Sequence, residues 1–261
     1  MNGSAINEAK NDPNEKMESM LNLMSITKGV IGFLYATTPT INGEDRLIGT
    51  ITVDQALNHQ TGLSDDGTFD YLHYRALAET SASAVLAYCH TMLQTAPPGF
   101  AYNNIIWHLL SHHYRVRTGM TCGEALQRRL VNRDWLWEQT TDGTALGPHG
   151  LYMSKPAFSE LMSIVSPWLE HIHRTKWATM TRVPAEHWEF LGPQTCTARR
   201  IWHGWWFQEA QVAWGHGYYA QFVFINFRNG QIRAQLQRGD AAYDEVPRRQ
   251  LFIERCLELP V

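Results

Sequence analysis

The stretch MSITKG, residues 24–29, decides how the rest of this sequence is interpreted. Ser25 and Lys28 stand three residues apart inside an otherwise apolar run from Met20 to Tyr35. On a helix this spacing places both side chains on one face, so that the lysine amine can approach the serine hydroxyl. A serine becomes a nucleophile when a base takes its proton, and a desolvated lysine can be that base. S-x-x-K alone is a weak pattern, because most instances are solvated helix faces.

The composition indicates a globular chain without nucleic-acid partners. With 261 residues and 44% hydrophobic residues, the chain can form one sizeable core or a core with a helical subdomain. Net charge is −3, and the arginines and lysines are scattered, which argues against binding to nucleic acid. Four widely spaced cysteines indicate free thiols in a reducing compartment.

The N-terminal segment, residues 1–16, is polar and mixed in charge, and we expect it to be disordered or loosely attached. It lacks the apolar core of a signal peptide. The apolar run that follows is broken by Ser25, Thr27 and Lys28 and is too short to span a bilayer. The sequence therefore predicts a soluble, cytoplasmic chain without a membrane partner.

Helical patterns precede strand patterns along the chain. Residues 17–36 have a helical pattern, and so do four later segments, with caps expected at Thr52, Gly119, Thr121 with Glu124, and Ser154. Residues 71–95 also read as one or two helices. Residues 198–238 alternate or are rich in aromatic and β-branched residues, and Arg228–Gly230 is a hairpin signal. Residues 244–259 are predicted as a final amphipathic helix.

This order predicts an α+β fold, an antiparallel sheet flanked by helices with an inserted, mostly helical subdomain. Residues 17–44 and 196–261 form the predicted sheet lobe, and residues 45–195 form the predicted helical lobe. The order lacks βαβ alternation, which argues against a Rossmann-type fold.

Three further motifs follow MSITKG along the chain. They are HQTGL at residues 59–63, YNN at 102–104 and WGHG at 214–217. Together the four resemble the motifs of serine hydrolases of the β-lactamase/penicillin-binding-protein superfamily. The branch they resemble contains the class C-like esterases, D-aminopeptidases and 6-aminohexanoate-dimer hydrolases, and the resemblance covers roughly residues 20–238. It implies a β-lactamase/transpeptidase-like fold and no cofactor or metal.

The resemblance also implies roles for individual residues. Ser25 matches the acylated nucleophile, Lys28 its base, and Tyr102 a partner that shares proton transfer. Asn104 would fix Lys28 and the substrate amide by hydrogen bonds. His216 occupies the K-T-G or H-x-G position, near a substrate carboxylate or the catalytic tyrosine.

The binding side of the site is implied in the same way. The oxyanion would be held by the backbone N–H groups of Ser25 and Tyr219. Of the tryptophans at 202, 205 and 206, at least one should face the core, and Trp205 and Trp206 are candidates for lining a substrate pocket. The substrate would be a small ester or amide.

Two features depart from the family pattern. Tyr218 replaces the usual glycine of the third motif, and only 24 residues precede Ser25, without a strand signal. N-terminal strands of the sheet are therefore expected to be missing. The chain would then be a shortened enzyme, one completed by homo-oligomerisation at an open sheet edge, or an inactive descendant that acts as a binding or scaffold protein.

Structural alternatives remain for two of the motifs. Outside the resemblance, Tyr102 is an aromatic that anchors a loop and Asn104 is a candidate N-cap for the helix that follows it. The motif WGHG is then only part of a glycine-kinked strand. His108 and His112 have the i, i+4 spacing of a zinc pair, but no glutamate follows His108 and no third ligand is evident.

Overall fold

The computed structural model describes residues 19–63, 83, 86–87, 90–91, 99–185, 199–208, 211–217 and 221–236. The predicted loose segment 1–16 and the predicted final helix lie outside the described residues, as do most of the helices predicted at 71–95.

Five helices and eleven strands are described. The helices are α1 (Ile26–Ala36), α2 (Val53–Leu57), α3 (Ile105–Thr118), α4 (Cys122–Gln127) and α5 (Lys155–Lys176), the last followed by a 3-10 turn at Trp177–Thr179. The strands are β1 (Leu21–Asn22), β2 (Arg46–Ile48), β3 (Ile51–Thr52), β4 (Trp135–Trp137), β5 (Leu151–Met153), β6 (Thr181–Arg182), β7 (Arg200–Trp202), β8 (Trp205–Gln208), β9 (Val212–Gly217), β10 (Gln221–Asn226) and β11 (Gln231–Gln235). This mixture of helices and antiparallel strands is the α+β fold that the sequence predicts.

The main sheet is an antiparallel meander of six strands in the order β11-β10-β9-β8-β7-β6. The predicted hairpin signal does join β10 to β11, and Gly230 in that turn has a φ of +68°. The aromatic stretch RIWHGWWFQ forms two strands, β7 and β8, because His203 and Gly204 both take positive φ values and turn the chain between them.

The N-terminal region differs from its prediction. The helix predicted over residues 17–36 begins only at Ile26, and Leu21–Asn22 forms a strand that pairs with β5. The backbone of Met24 has a φ of +45°, which interrupts a right-handed helix at that point. The predicted helical lobe also contains a three-stranded sheet, β1-β5-β4, completed by β1, and a two-stranded sheet, β2-β3.

The local helix signals are confirmed. Thr52 and Gln55 form a capping box at α2, and Thr121 and Glu124 form one at α4. Gly119 ends α3 in the left-handed conformation, with a φ of +71°. No helix in the described part of the chain combines the length and the apolar character needed to cross a membrane.

Helix α1 lies at the centre of the fold, and ten of its eleven residues are buried. Two of its glycines permit close packing against the main sheet. A Cβ at Gly29 would meet the Trp205 ring at 2.5 Å, and one at Gly32 would meet the backbone oxygen of His203 at 2.0 Å. The first two turns of α1 are thereby packed closely against β8 and the turn that precedes it.

Candidate active site

Ser25 and Lys28 meet at the start of α1. The Lys28 amine donates a hydrogen bond to Ser25 Oγ at 2.6 Å and a longer one to the carbonyl oxygen of Pro148 at 3.3 Å. The Lys28 residue is only 1% exposed. The i, i+3 spacing on a helix accounts for the first contact, and the loop between β4 and β5 supplies the second. A buried amine is therefore directed at a partly exposed serine hydroxyl.

The backbone ahead of Ser25 is unusual. Met24 has a positive φ, a conformation that costs a non-glycine residue of order 1–3 kcal/mol. The buried side chain of Asn22 accepts a hydrogen bond from the Met24 N–H at 2.9 Å, which stabilises this turn. The turn ends strand β1 and begins α1, so that Ser25 occupies the N-cap position.

Strand β9 reaches the same turn from the main sheet. A Cβ at Gly217 would lie 3.0 Å from the Ser25 backbone nitrogen, so that only a glycine fits without a shift. Within the described residues, the Ser25 N–H donates to no acceptor. His216, the preceding residue, is half-buried, with its ring 6.2 Å from that of Phe222. The third motif therefore lies against the serine, while Tyr219, the predicted second oxyanion donor, falls outside the described residues.

Tyr102 lies beside the Lys28 amine. The amine nitrogen is 5.1 Å from the centroid of the Tyr102 ring. The same ring stacks on His59 at 4.6 Å and on Trp206 at 5.9 Å, each at an interplanar angle of 22°. Three of the predicted motifs, S-x-x-K, HQTGL and YNN, are thus brought together around one phenol.

Asn103 joins two of these motifs and was missed in the sequence. Its side chain donates to Thr61 Oγ1 at 3.2 Å and to the Leu63 carbonyl at 2.8 Å, and accepts from the Ile106 N–H at 3.1 Å. The Asn103 N–H donates to His59 Nδ1 at 3.3 Å. The doubled asparagine of YNN was the signal that could have drawn attention to it.

Asn104 is half-buried at the start of α3 and makes no side-chain cap on that helix. Asn104 therefore occupies the N-cap position that the structural alternative predicts, but the side chain that accepts a bond from a helix N–H is that of Asn103. The predicted contacts of Asn104 with Lys28 and the substrate stay predictions.

Solved structures of several hydrolases resemble this chain. A Bacillus anthracis protein assigned as a 6-aminohexanoate-dimer hydrolase matches with a TM-score of 0.62 and 16% identity, over 94% of this chain and 75% of its own. The D-amino acid amidase of Ochrobactrum anthropi SV3 matches at 0.59 and 13%, over 93% of each chain. A class C β-lactamase from Rhodobacter sphaeroides matches at 0.55 and 14%, over 92% and 86%. The chain has the β-lactamase/transpeptidase-like fold.

The β-lactamase/transpeptidase-like fold that the resemblance implies is confirmed. Identity to the three neighbours is only 13–16%, so the likeness lies in the architecture. No family model matches the sequence, and no curated protein matches it at a significant level.

Within this β-lactamase-like fold, Trp205 and Trp206 are both buried. Trp205 faces α1 and donates from its indole nitrogen to the Gly29 carbonyl at 2.9 Å, which makes it the expected core tryptophan. Trp206 lies behind Tyr102. Their predicted contacts with substrate stay predictions.

Two buried histidines, His59 and His108, have lowered pKa values. Burial lowers the pKa of His59 well below its usual value, and the charge of Lys28 lowers it further. Burial also lowers the pKa of His108 to about 4. Among the described residues, no group of three or more His, Cys, Asp or Glu side chains is arranged to hold a metal ion. His108 and His112 therefore have no third ligand within the described part of the chain.

Proposed function

We propose that this chain is a serine hydrolase that acts on a small ester or amide through an acyl-Ser25 intermediate. The observation that carries the proposal is the 2.6 Å contact between the buried Lys28 amine and Ser25 Oγ. A nucleophile and its base within hydrogen-bond reach are the recurring signature of covalent catalysis by serine.

Acylation follows from this geometry. Lys28 in its uncharged form takes the Ser25 proton as Oγ attacks the substrate carbonyl carbon and the carbonyl π electrons move to oxygen. The Ser25 N–H donates to the resulting oxyanion, and a second donor is proposed on the chain that follows β9. The carbonyl re-forms as the bond to the leaving group breaks. The proton passes from Lys28, through or beside Tyr102, to the departing alcohol or amine.

Deacylation reverses the roles. A water molecule attacks the acyl-serine carbonyl and gives its proton to the Lys28–Tyr102 pair. Ser25 Oγ leaves and regains a proton from that pair, and the carboxylic acid product departs. His216 is proposed to orient the substrate at the end of β9, and Asn104 to contact its amide.

The substrate class rests on two supports. A serine with a lysine base suits carbonyl compounds whose leaving group accepts a proton, which esters and amides share. The structural neighbours named above include a 6-aminohexanoate-dimer hydrolase and a D-amino acid amidase. Both names describe amide hydrolysis, and we extend that class to this chain as part of the proposal.

Labelling with a fluorophosphonate or penicillin probe, followed by mass spectrometry of the modified peptide, tests the proposal. We expect the label on Ser25 in the wild-type protein, no label in Ser25→Ala, and labelling slowed by about 10²–10⁴-fold in Lys28→Met, which removes the base. Ser163→Ala, at an exposed serine on α5, is the matched control and should label normally.

Turnover of p-nitrophenyl esters gives an independent measurement. Folded wild-type protein that neither labels at Ser25 nor turns over these esters would contradict the proposal and favour the binding or scaffold alternative. Label on a serine other than Ser25 would contradict the assigned nucleophile.

A further inference from the structure

His59 is a fully buried polar group beside the proposed catalytic residues. It is 0% exposed, and its ring stacks on that of Tyr102 at 4.6 Å. Trp107 and Phe100 enclose the ring further, at 5.5 Å and 6.2 Å. The ring is therefore enclosed by aromatic groups, one of which is the phenol proposed to move a proton.

The hydrogen bond to the His59 ring determines which tautomer the uncharged ring adopts. Nδ1 accepts the Asn103 N–H at 3.3 Å, so it carries a lone pair and the ring proton is on Nε2. Nε2 has no hydrogen-bond partner within the described residues. Burial and the nearby Lys28 amine both lower the pKa of the ring, so His59 is uncharged and cannot itself take the Ser25 proton at neutral pH.

The backbone at this position does not require a histidine. His59 has a φ of +56°, a left-handed conformation that asparagine and glycine adopt more easily. Its carbonyl accepts the Ala101 N–H at 2.8 Å, so the loop contact is made by the backbone. An asparagine would keep the turn and offer an oxygen where Nδ1 accepts. What only an aromatic residue adds is a flat surface against Tyr102.

We propose that His59 is a positioning residue, an uncharged ring that holds the Tyr102 phenol against Lys28 without competing for the proton released by Ser25. This inference rests on the proposed function, because it concerns the same proton transfer. Stacking on His59 and on Trp206 restricts the Tyr102 ring, and Asn103 fixes the chain on either side of the contact. A phenol restricted in this way remains within reach of the lysine amine through the reaction.

Two substitutions separate the ring from the turn. His59→Asn keeps the left-handed backbone and the acceptor for the Asn103 N–H but removes the stacked ring. His59→Phe keeps the ring but removes the acceptor and places a bulky residue at a positive φ. The measurements are the thermal midpoint, the kcat and KM for a p-nitrophenyl ester, and the rate of fluorophosphonate labelling at Ser25, all at a temperature where each protein is folded.

The two variants should differ in kcat. We expect His59→Asn to lose about 10-fold to 100-fold in kcat, with KM changed less than about threefold, and to lose stability as well, because it leaves a cavity where the enclosed ring stood. His59→Phe should also lose stability but keep kcat within about threefold of wild type. Both variants are destabilised, so a kcat loss confined to His59→Asn is what a purely structural role would not produce.

The contrary outcomes are distinct. Wild-type kcat and labelling in His59→Asn would overturn the inference while leaving the proposed function intact. Loss of kcat in His59→Phe, with His59→Asn active, would show that the acceptor matters and the ring does not, which also overturns it. Wild-type protein that leaves Ser25 unlabelled would overturn the proposed function and this inference with it.

Discussion

His108 on α3 is an uncharged histidine in the interior of the fold. It is 1% exposed, and neither ring nitrogen has a hydrogen-bond partner among the residues that the structure describes. Its pKa is lowered from 6.5 to about 4, chiefly by burial; the charge of Asp142 partly opposes the shift, and those of His112 and His149 add to it. In the unfolded chain the same ring takes up a proton more readily, so acid favours unfolding.

The sign and size of this effect give a prediction. Above pH 6.5 the His108 ring is uncharged in both states and contributes no pH dependence. As the pH falls from 6.5 to about 4, the unfolded chain is protonated first, and the free energy of unfolding should fall by roughly 3 kcal/mol from this group. His108→Phe should remove that part of the pH dependence, as measured by urea unfolding at a series of pH values.

The control is His171→Phe, at an exposed position on α5, which should leave the pH dependence unchanged. Some acid sensitivity should persist in His108→Phe, because the pKa of His59 is lowered in the same direction. An unfolding free energy that falls as steeply with acid in His108→Phe as in wild type would contradict the prediction.

At the same scale, the contact between Ser25 and Lys28 has a local signal in the sequence, and the other contacts of the candidate site do not. Ser25 and Lys28 are brought together by helical spacing alone, which can be read along the chain. The Lys28 contact with Pro148 joins residues 120 positions apart, and no periodicity indicates it. The contact between Asn103 and His59 was missed for the same reason, since the two residues are 44 positions apart.

Among the elements, α1 depends on glycines for its position in the fold. A Cβ at Gly32 would lie 2.0 Å from the backbone oxygen of His203, and backbone cannot easily move away. We expect Gly32→Ala to cost about 1–3 kcal/mol or more of unfolding free energy through overpacking. It should also lower kcat, because any shift of α1 carries Lys28 with it.

Gly123→Ala on α4 is the matched control for this prediction. The nearest atom to its Cβ would be 3.7 Å away, an ordinary contact, so the substitution should be neutral or stabilising by up to about 1 kcal/mol. Urea unfolding and ester turnover of both variants make the comparison. Equal stability of the two alanine variants would contradict the packing argument.

Elements with their own capping signals were predicted well, and short strands were not. The capping boxes at α2 and α4 are made within four residues, so the sequence contains their whole explanation. Strands β1, β4 and β5 are only two or three residues long and exist because they pair with one another. Nothing within Leu21–Asn22 distinguishes a strand from a helix until β5 is placed beside it.

At the scale of the whole molecule, the candidate site lies where three parts of the fold meet. The start of α1 supplies Ser25 and Lys28, the loop before α3 supplies Tyr102, and the end of β9 supplies His216. Each part is fixed by contacts outside the site, such as Gly32 against the β7–β8 turn. The predicted division into a sheet lobe and a helical lobe stays a prediction, and α1 packs on elements from both.

The last prediction concerns the edge of the main sheet. Among the described strands, β11 has a neighbour on one side only, and its Ile232 is 39% exposed. An edge strand with an exposed apolar side chain favours pairing with a second copy of the chain. If the sheet is completed in this way, the mass in solution should rise with concentration from the 29.9 kDa of one chain towards twice that value.

Ile232→Lys should weaken the association, because a charge at the edge opposes pairing. Val131→Lys replaces a side chain that is 86% exposed and lies away from the sheet, so it should leave the mass unchanged. Light scattering after size-exclusion chromatography distinguishes these outcomes, and a single-chain mass at every concentration would contradict pairing at β11.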